Sequence, residues 1–315
     1  LVSVGANTLA ITALNDSVED PDFLIAPRFS WRPGQSMRAY FRQPTPGADN
    51  AKAYAPPTPV VSASEPRGYK TGSFAVSLVC SNATAQIRYT LDGSVPGANS
   101  ALYTGPIDVS KTTTLRAAVL DPDTVWQSVT TVTWLFLEDI LKQGSTPPPG
   151  WPANWEVNSH VMEYGLRSEI VTGDPERLRH GITNAIPSLS FVTDLDNLFS
   201  AQRGIYVNPG NDGLGWERPV SVELIDPVHG SGSEFQIDAG LRIRGAYSRS
   251  TGNPKHSFRL FFRSQYGQGK LRFPLFGDEG ASEFDKVDLR TSQNYSWAYE
   301  NSTGETFVRE TFSRD

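Results

Sequence analysis

Two runs of alternating apolar and basic residues begin and end the stretch GLRIRGAYSRSTGNPKHSFRLFFR, residues 240–263. In LRIR, residues 241–244, the two arginines point to one face of an extended strand and the Leu and Ile point to the other, because side chains alternate along a strand. The run FRLFFR, residues 258–263, repeats this alternation. The pattern predicts an antiparallel hairpin with an apolar face on a core and an opposite, basic face.

The hairpin lies in a basic part of an acidic chain. The 315 residues carry 28 Lys and Arg against 34 Asp and Glu, a net charge of −6. Between Asp238 and Asp278, however, there is no carboxylate. Eight unopposed cations predict a local field that attracts anions. They are Arg242, Arg244, Arg249, Lys255, Arg259, Arg263, Lys270 and Arg272.

The loop between the two runs, residues 245–256, adds chemistry suited to an anion. It contributes Arg249 and Lys255 among small residues such as Ser248 and Gly252. Forked guanidinium groups, a lysine and exposed backbone N–H groups are what polyphosphate recognition requires. The alternative is a solvated strand face. The chain contains no Gly-x4-Gly-Lys-Ser/Thr loop, and the absence of His-Arg-Asp and Asp-Phe-Gly excludes an ordinary protein kinase.

A series of motifs in this region resembles the CotH (spore-coat) kinase family. The series runs GLRIRG, Ser248-Arg249, PKHSFRL at 254–260, LRFPLFG at 271–277 and DKVDLR at 285–290. The resemblance covers about residues 160–315 and implies the N-terminal part of an α+β, atypical kinase-like domain. Members of that family bind ATP with Mg²⁺ and phosphorylate Ser residues of proteins.

Carried over residue by residue, the resemblance makes Arg244, Arg249, Lys255 and Arg259 contacts of the nucleotide phosphates, with Lys255 positioning a phosphate. His256 stands where the family commonly has a second Lys. Glu310 is a candidate ion-pair partner of Lys255, the alternative being a surface carboxylate. The catalytic and metal-binding carboxylates are expected beyond Asp315, so we expect no metal site and no complete phosphoryl transfer within these residues.

A small antiparallel sandwich is predicted for residues 68–137. Period-two alternation marks strands at 74–80 and 113–119, and shorter apolar runs occur at 87–90 and 107–109. Asp92-Gly93 is a strong tight-turn signal. Cys80 falls on the apolar face, which favours a buried small hydrophobe over a reactive thiol.

The same region resembles a second family, the C-terminal domain of chitobiase and β-hexosaminidase. The matching runs are IRYTLDGS at 87–94, YTGP at 103–106 and TTLRA at 113–117. That family is Ig-like and non-catalytic, and we expect here a spacer without a ligand of its own.

The remaining chain supplies linkers and further elements. Residues 1–28 resemble the end of a truncated β-sandwich, with strands at 8–14 and 22–26, and Pro-rich linkers are predicted at 29–67 and 138–159. Asp174 and Pro175 predict a helix start, with the helix reaching about Asn184. Further strands are expected at 188–192, 220–225, 235–237, 241–244 and 257–263, and a helix from Phe307.

The predicted fold is therefore multidomain: an all-β Ig-like sandwich followed by an incomplete α+β, atypical-kinase-like domain, together a fragment of a longer protein. The net negative charge argues against a nucleic-acid or membrane-surface binder, and no run approaches the ~20 apolar residues of a membrane span. Asp194 and Asp196 are a candidate carboxylate pair or a helix cap, and the four histidines have no zinc-like spacing.

The sequence favours the ATP-binding portion of a CotH-like protein kinase. The arrangement is similar to large bacterial surface proteins that place a chitobiase-type module before a CotH domain, which implies an extracellular or cell-surface location. The expected partners are ATP, with Mg²⁺, and an unidentified protein substrate. The alternatives are a catalytically inactive structural or adhesive surface protein and a carbohydrate-binding accessory protein.

Overall fold

The computed structural model describes residues 60–80, 82, 85–119, 128–152, 156, 157, 160–162, 164–229, 233–251 and 255–291. The strands predicted at 8–14 and 22–26, the helix predicted from Phe307, and Glu310 lie outside these residues. Among the described helices, none has both the length and the apolar character needed to cross a membrane.

An Ig-like β-sandwich forms the first part of the described chain. One of its sheets has the order β2-β9-β8-β5-β6, with β2 parallel to β9, and the pairs β1-β4 and β3-β7 complete the module. Its strands are β1 Val61–Ala63, β2 Gly68–Lys70, β3 Phe74–Val76, β4 Leu78–Cys80, β5 Ile87–Thr90, β6 Ala101–Leu102, β7 Ile107–Val109, β8 Thr113–Val119 and β9 Val129–Phe136.

The core of the sandwich is built by the predicted alternation. Val76 and Leu78 are buried, and Cys80 packs partly buried against the same core. Trp134 is fully buried and its indole N–H donates to the carbonyl of Pro66 at 2.9 Å. The continuous strand expected at 74–80 is divided at Ser77, because its two halves pair with different strands, β7 and β1.

The Asp92-Gly93 turn is also confirmed. Gly93 has φ +82°, a conformation that only glycine adopts without steric cost. The Asp92 carboxylate accepts hydrogen bonds from the backbone N–H and the hydroxyl of Ser94, at 3.0 and 2.6 Å. These bonds hold the pKa of Asp92 below its usual value.

A five-stranded antiparallel sheet of order β12-β13-β14-β15-β18 dominates the second part. The elements after the sandwich are α1 Leu137–Leu141, β10 Glu156–Val157, β11 His160–Val161, α2 Ser168–Gly173, α3 Pro175–Asn184, β12 Ser188–Val192, α4 Leu195–Phe199, β13 Arg218–Ile225, β14 Phe235–Arg244, β15 Ser257–Phe261, β16 Leu271–Arg272, β17 Glu283–Phe284 and β18 Lys286–Leu289.

The helix predicted after Asp174 is confirmed. α3 begins at Pro175, and the Asp174 carboxylate accepts from the backbone N–H of Arg177 at 3.1 Å, which satisfies one of the otherwise unpaired donors at the helix start. The two strands expected at 235–237 and 241–244 are one strand, β14, because Ala239 is buried in the core and Gly240 stays in register with both neighbouring strands.

Both predicted linkers include residues that form strands or a helix. β1 lies inside the segment assigned to the first linker, and its Val61 is only 1% exposed in the sandwich core. Three residues between prolines are too few to show a period in the sequence. The second predicted linker, residues 138–159, contains most of α1 and all of β10.

Candidate functional site

The predicted hairpin is present as β14 and β15. Leu241 lies opposite Leu260 and Ile243 opposite Phe258, and these four side chains belong to the core of the second part. The alternation of apolar and basic residues therefore places the arginines of both strands together on the other face, as the sequence predicted.

Two of the predicted phosphate contacts converge on that face. Arg244 donates from Nε to the carboxylate of Asp288 at 2.8 Å, and Arg259 donates to the same carboxylate from Nε and, at 2.7 Å, from Nη2. Asp288 lies directly opposite Arg259 in β18. Arg259 above all, and Arg244 with it, hold the pKa of Asp288 below its usual value.

A second carboxylate holds two more arginines of this face. Glu217, whose side chain is 1% exposed, accepts from Nε and Nη2 of Arg242 at 2.8 and 2.6 Å and from Nε of Arg263 at 3.0 Å. Both guanidinium groups also lie over the ring of Phe261, at 4.4 and 5.0 Å from its centroid.

Gly240 makes room for this cluster. A Cβ atom built on Gly240 would lie 2.4 Å from Oε1 of Glu217 and 2.6 Å from its Cδ and Cγ. Since real Cβ atoms do not approach so closely, the Glu217 side chain can cross β14 only where the strand has a glycine.

The expectation of unopposed cations is therefore wrong. Seven of the eight form ion pairs with carboxylates that lie outside the acid-free interval and reach it through the fold. The pairs are Arg242 and Arg263 with Glu217, Arg244 and Arg259 with Asp288, Arg249 with Asp212, Lys270 with Asp285, and Arg272 with Glu283.

The loop after β14 places the other two predicted contacts differently. Arg249 donates from Nη2 to the carbonyl of Ile243 at 3.0 Å, and its Nη1 lies 3.3 Å from Oδ2 of Asp212. Its Nε is buried without a partner among the described residues. Its guanidinium is thus held against the end of β14 and not beside Asp288. Lys255 is exposed just before β15.

His256 does not join the cations. It is 3% exposed, its Nδ1 lies 2.7 Å from the carbonyl oxygen of Ser248, and its ring lies 4.9 Å from that of Tyr206. A carbonyl only accepts hydrogen bonds, so Nδ1 carries the proton of this contact. His256 therefore packs the loop onto the sheet.

The Ig-like module covers the other half of the same sheet face. Glu223 in β13 is fully buried and accepts from Nε of Arg67 at 3.0 Å and from the backbone N–H of Thr133 at 3.2 Å. The Thr133 hydroxyl donates to Glu223 as well. Tyr69 and Ser188 form a further hydrogen bond across this contact, 2.8 Å long.

The charges of Arg116, in the module, and Asp238, in β14 of the sheet, act on each other. Arg116, in β8, is 7% exposed; burial lowers its pKa, and the charges of Asp238 and Asp194 act in the opposite direction. Burial likewise raises the pKa of Asp238, which Ser221, Arg116 and Gln236 counteract. Burial therefore disfavours the charged form of both residues, and the charge of each offsets part of that cost for the other.

The other candidate residues form no site. Asp194 precedes α4 and its carbonyl accepts from the N–H of Asn197 at 2.9 Å, while Asp196 lies in the first turn. Within the described ranges, no group of three or more His, Cys, Asp or Glu side chains could hold a metal ion.

An open cleft lies at one end of the module. Its volume is about 480 Å³, and it is lined by residues of β5 to β8 and their loops, among them Tyr89, Asp92, Asp108 and Lys111. The cleft combines an aromatic residue with charged and hydroxyl side chains.

The sequence reasoning missed the carboxylates Glu217, Glu223 and Asp288. For Asp288 a signal existed: in DKVDLR it alternates with Val287 and Leu289, which places it on the face opposite the core. What the alternation could not show is that β18 lies next to β15.

Part of the Ig-like module matches a known protein family. Residues 65–131 match the model of the chitobiase/beta-hexosaminidase C-terminal domain. The match supports the Ig-like module that the sequence predicts, which is similar to that family over these residues. No curated protein matches the chain by sequence.

Proposed function

We propose that residues 160–315 are the ATP-binding portion of a CotH-like atypical protein kinase, in a bacterial surface or secreted protein. Arg244, Arg249, Lys255 and Arg259 are the proposed contacts of the nucleotide phosphates. The ordered motifs, from GLRIRG to DKVDLR, support this assignment. The proposed activity is phosphoryl transfer to a protein Ser hydroxyl, which requires Mg²⁺ held by carboxylates.

The observation that carries the proposal is the convergence of Arg244 and Arg259 on one carboxylate. Two guanidinium groups that share one planar oxyanion are arranged to bind a phosphate, which presents the same kind of acceptor oxygens. The Arg244 side chain remains 43% exposed, so a phosphate group can reach it from solvent. Asp288 neutralises the pair and competes with that phosphate.

The test is a calorimetric titration of Mg-ATP into the chain and its Lys255→Ala variant. We expect micromolar binding that this substitution weakens at least about tenfold, since a phosphate loses a cationic contact. Lys142→Ala, an exposed lysine just after α1, is the matched control and should leave the affinity unchanged. Absence of binding, or an equal effect of both substitutions, would refute the phosphate site.

A carbohydrate-binding accessory role is a second candidate, favoured by the cleft on the module. Tyr89 offers a ring for stacking on a sugar, and Asp108 and Lys111 offer hydrogen-bonding groups. In a glycan panel, binding that Tyr89→Ala removes would support this role, whereas failure across the panel would remove it.

A further inference from the structure

The five-stranded sheet uses one face for two purposes. We call the docked half these outward positions of β12, β13 and the first part of β14: Ser188, Ser190, Val192, Ser221, Glu223, Ile225, Gln236 and Asp238. Cross-strand register aligns them in rows, with Ser190 opposite Glu223, and Glu223 opposite Gln236. The arginine half is Arg242, Arg244, Arg259, Phe261, Arg263 and Asp288 on the same face.

Two polar members of the docked half are as deeply buried as core residues, and its other polar members are partly buried. Ser221 is 1% exposed and Glu223 is not exposed. On the module side, Thr131 and Thr133 are also buried. Burying polar groups is costly unless they have partners. Most of these groups have one, whereas the Thr131 hydroxyl and Nε of Arg116 are buried without a hydrogen-bond partner among the described residues.

Glu223 has its partners, and its hydrogen-bond donors come from the module. Arg67 supplies the charge and Thr133 supplies an N–H and a hydroxyl. β2 pairs with β9 from Trp134 onward, one residue after Thr133. The N–H of Thr133 therefore lies just beyond the end of this pairing, and it donates to Glu223. A Glu at position 223 therefore fits the hydrogen-bond donors that this edge of the module presents.

Close packing accompanies these bonds. β9 lies against β13. A Cβ atom built on Gly93, at the tight turn of the module, would lie 3.1 Å from a side-chain atom of Val192. A Cβ atom built on Gly68 would lie 3.9 Å from a side-chain atom of Ile225. Both glycines have positive φ, so a left-handed backbone conformation and close approach coincide at the contact.

We infer that the chitobiase-type module and the five-stranded sheet form one cooperative unit, anchored by Glu223, in which the module is a fixed partner of the docked half and not a tethered spacer. This inference is independent of nucleotide binding. It assigns the module a role as a cover for half of the sheet face that also carries the arginine half.

The test is hydrogen exchange on the full chain, followed by mass spectrometry, for Glu223→Gln. The substitution removes the charge that faces Arg67 and puts an amide NH₂ among donors. We expect exchange to accelerate roughly tenfold or more on both sides of the contact, in peptides from β9 and from β12–β13.

Glu65→Gln is the matched control, because Glu65 pairs with Lys70 within the module at 3.2 Å. It should leave exchange in β12–β13 unchanged. Thr133→Val, which removes one hydroxyl and keeps the shape, is the milder second variant should Glu223→Gln not fold, and it should show the same two-sided response. Acceleration confined to one side, or a control effect as large as the variant's, would overturn the inference.

Discussion

The docked half and the arginine half are built on the same face of the same sheet, yet their carboxylates have different surroundings. Glu223 is completely buried and receives its hydrogen bonds from another module, whereas the Asp288 side chain is 30% exposed and pairs with arginines of its own sheet. Removal of a buried carboxylate leaves its partners unpaired without water, while exposed partners are rehydrated. The difference shows that the contact around Glu223 is structural, whereas the part of the arginine half around Asp288 is accessible to solvent.

The largest expected effect is that of Glu223→Ala. The substitution leaves Arg67 and Thr133 without their acceptor in a buried contact, so the free energy of unfolding should fall by about 3–5 kcal/mol. Chemical denaturation measures the loss. Asp285→Ala is the control: its ion pair with Lys270 is exposed, and the loss should stay below about 1 kcal/mol. Equal losses would contradict the contrast between buried and exposed carboxylates.

A smaller effect is expected for Gly240→Ala, between the two halves. The added Cβ forces the Glu217 side chain away from Arg242 and Arg263, which should cost about 1–3 kcal/mol of unfolding free energy. Thermal denaturation gives the change. Gly97→Ala, where a Cβ meets nothing within 4 Å, should stay within about 0.5 kcal/mol of the wild type. A neutral Gly240→Ala would mean that the Glu217 cluster adds no stability.

The smallest effect is expected for Asp288→Asn, and it should depend on pH. Because the folded protein lowers the pKa of Asp288, its ion pairs add stability above the pKa of the unfolded chain, about 4, and lose it as the pH falls through the lower folded pKa. The variant should be less stable by roughly 0.5–1 kcal/mol at pH 7. In melting curves across pH, this difference should shrink as the pH falls below about 4, and a difference that stays the same throughout that range would exclude an ionic origin.

The predictions that succeeded rest on interactions between near neighbours. The hairpin followed from alternation in LRIR and FRLFF, the start of α3 from Asp174 and Pro175, and the turn at Gly93 from its need for positive φ. The phosphate contacts and the kinase activity stay predictions, because they depend on a ligand.

The predictions that failed inferred the spatial surroundings of a residue from its neighbours in the sequence. Arg242 has no carboxylate near it in sequence but lies against Glu217, 25 residues earlier, and Arg244 lies against Asp288, 44 residues later. The charge around these arginines was therefore misjudged from the sequence. The linker boundaries failed for a related reason, since Val61 is identified as core only by the strands that surround it.

The sequence by itself determined the strands of the hairpin with their apolar and basic faces, the helix start, the turn and the likeness of the Ig-like module to its family, because periodicity and turn chemistry act over a few residues. Only the tertiary structure decided which carboxylates meet the arginines and that the module docks on the sheet. Thr133 and Glu223 are 90 residues apart, and such contacts arise from packing of whole sheets, whose pairing no local pattern records.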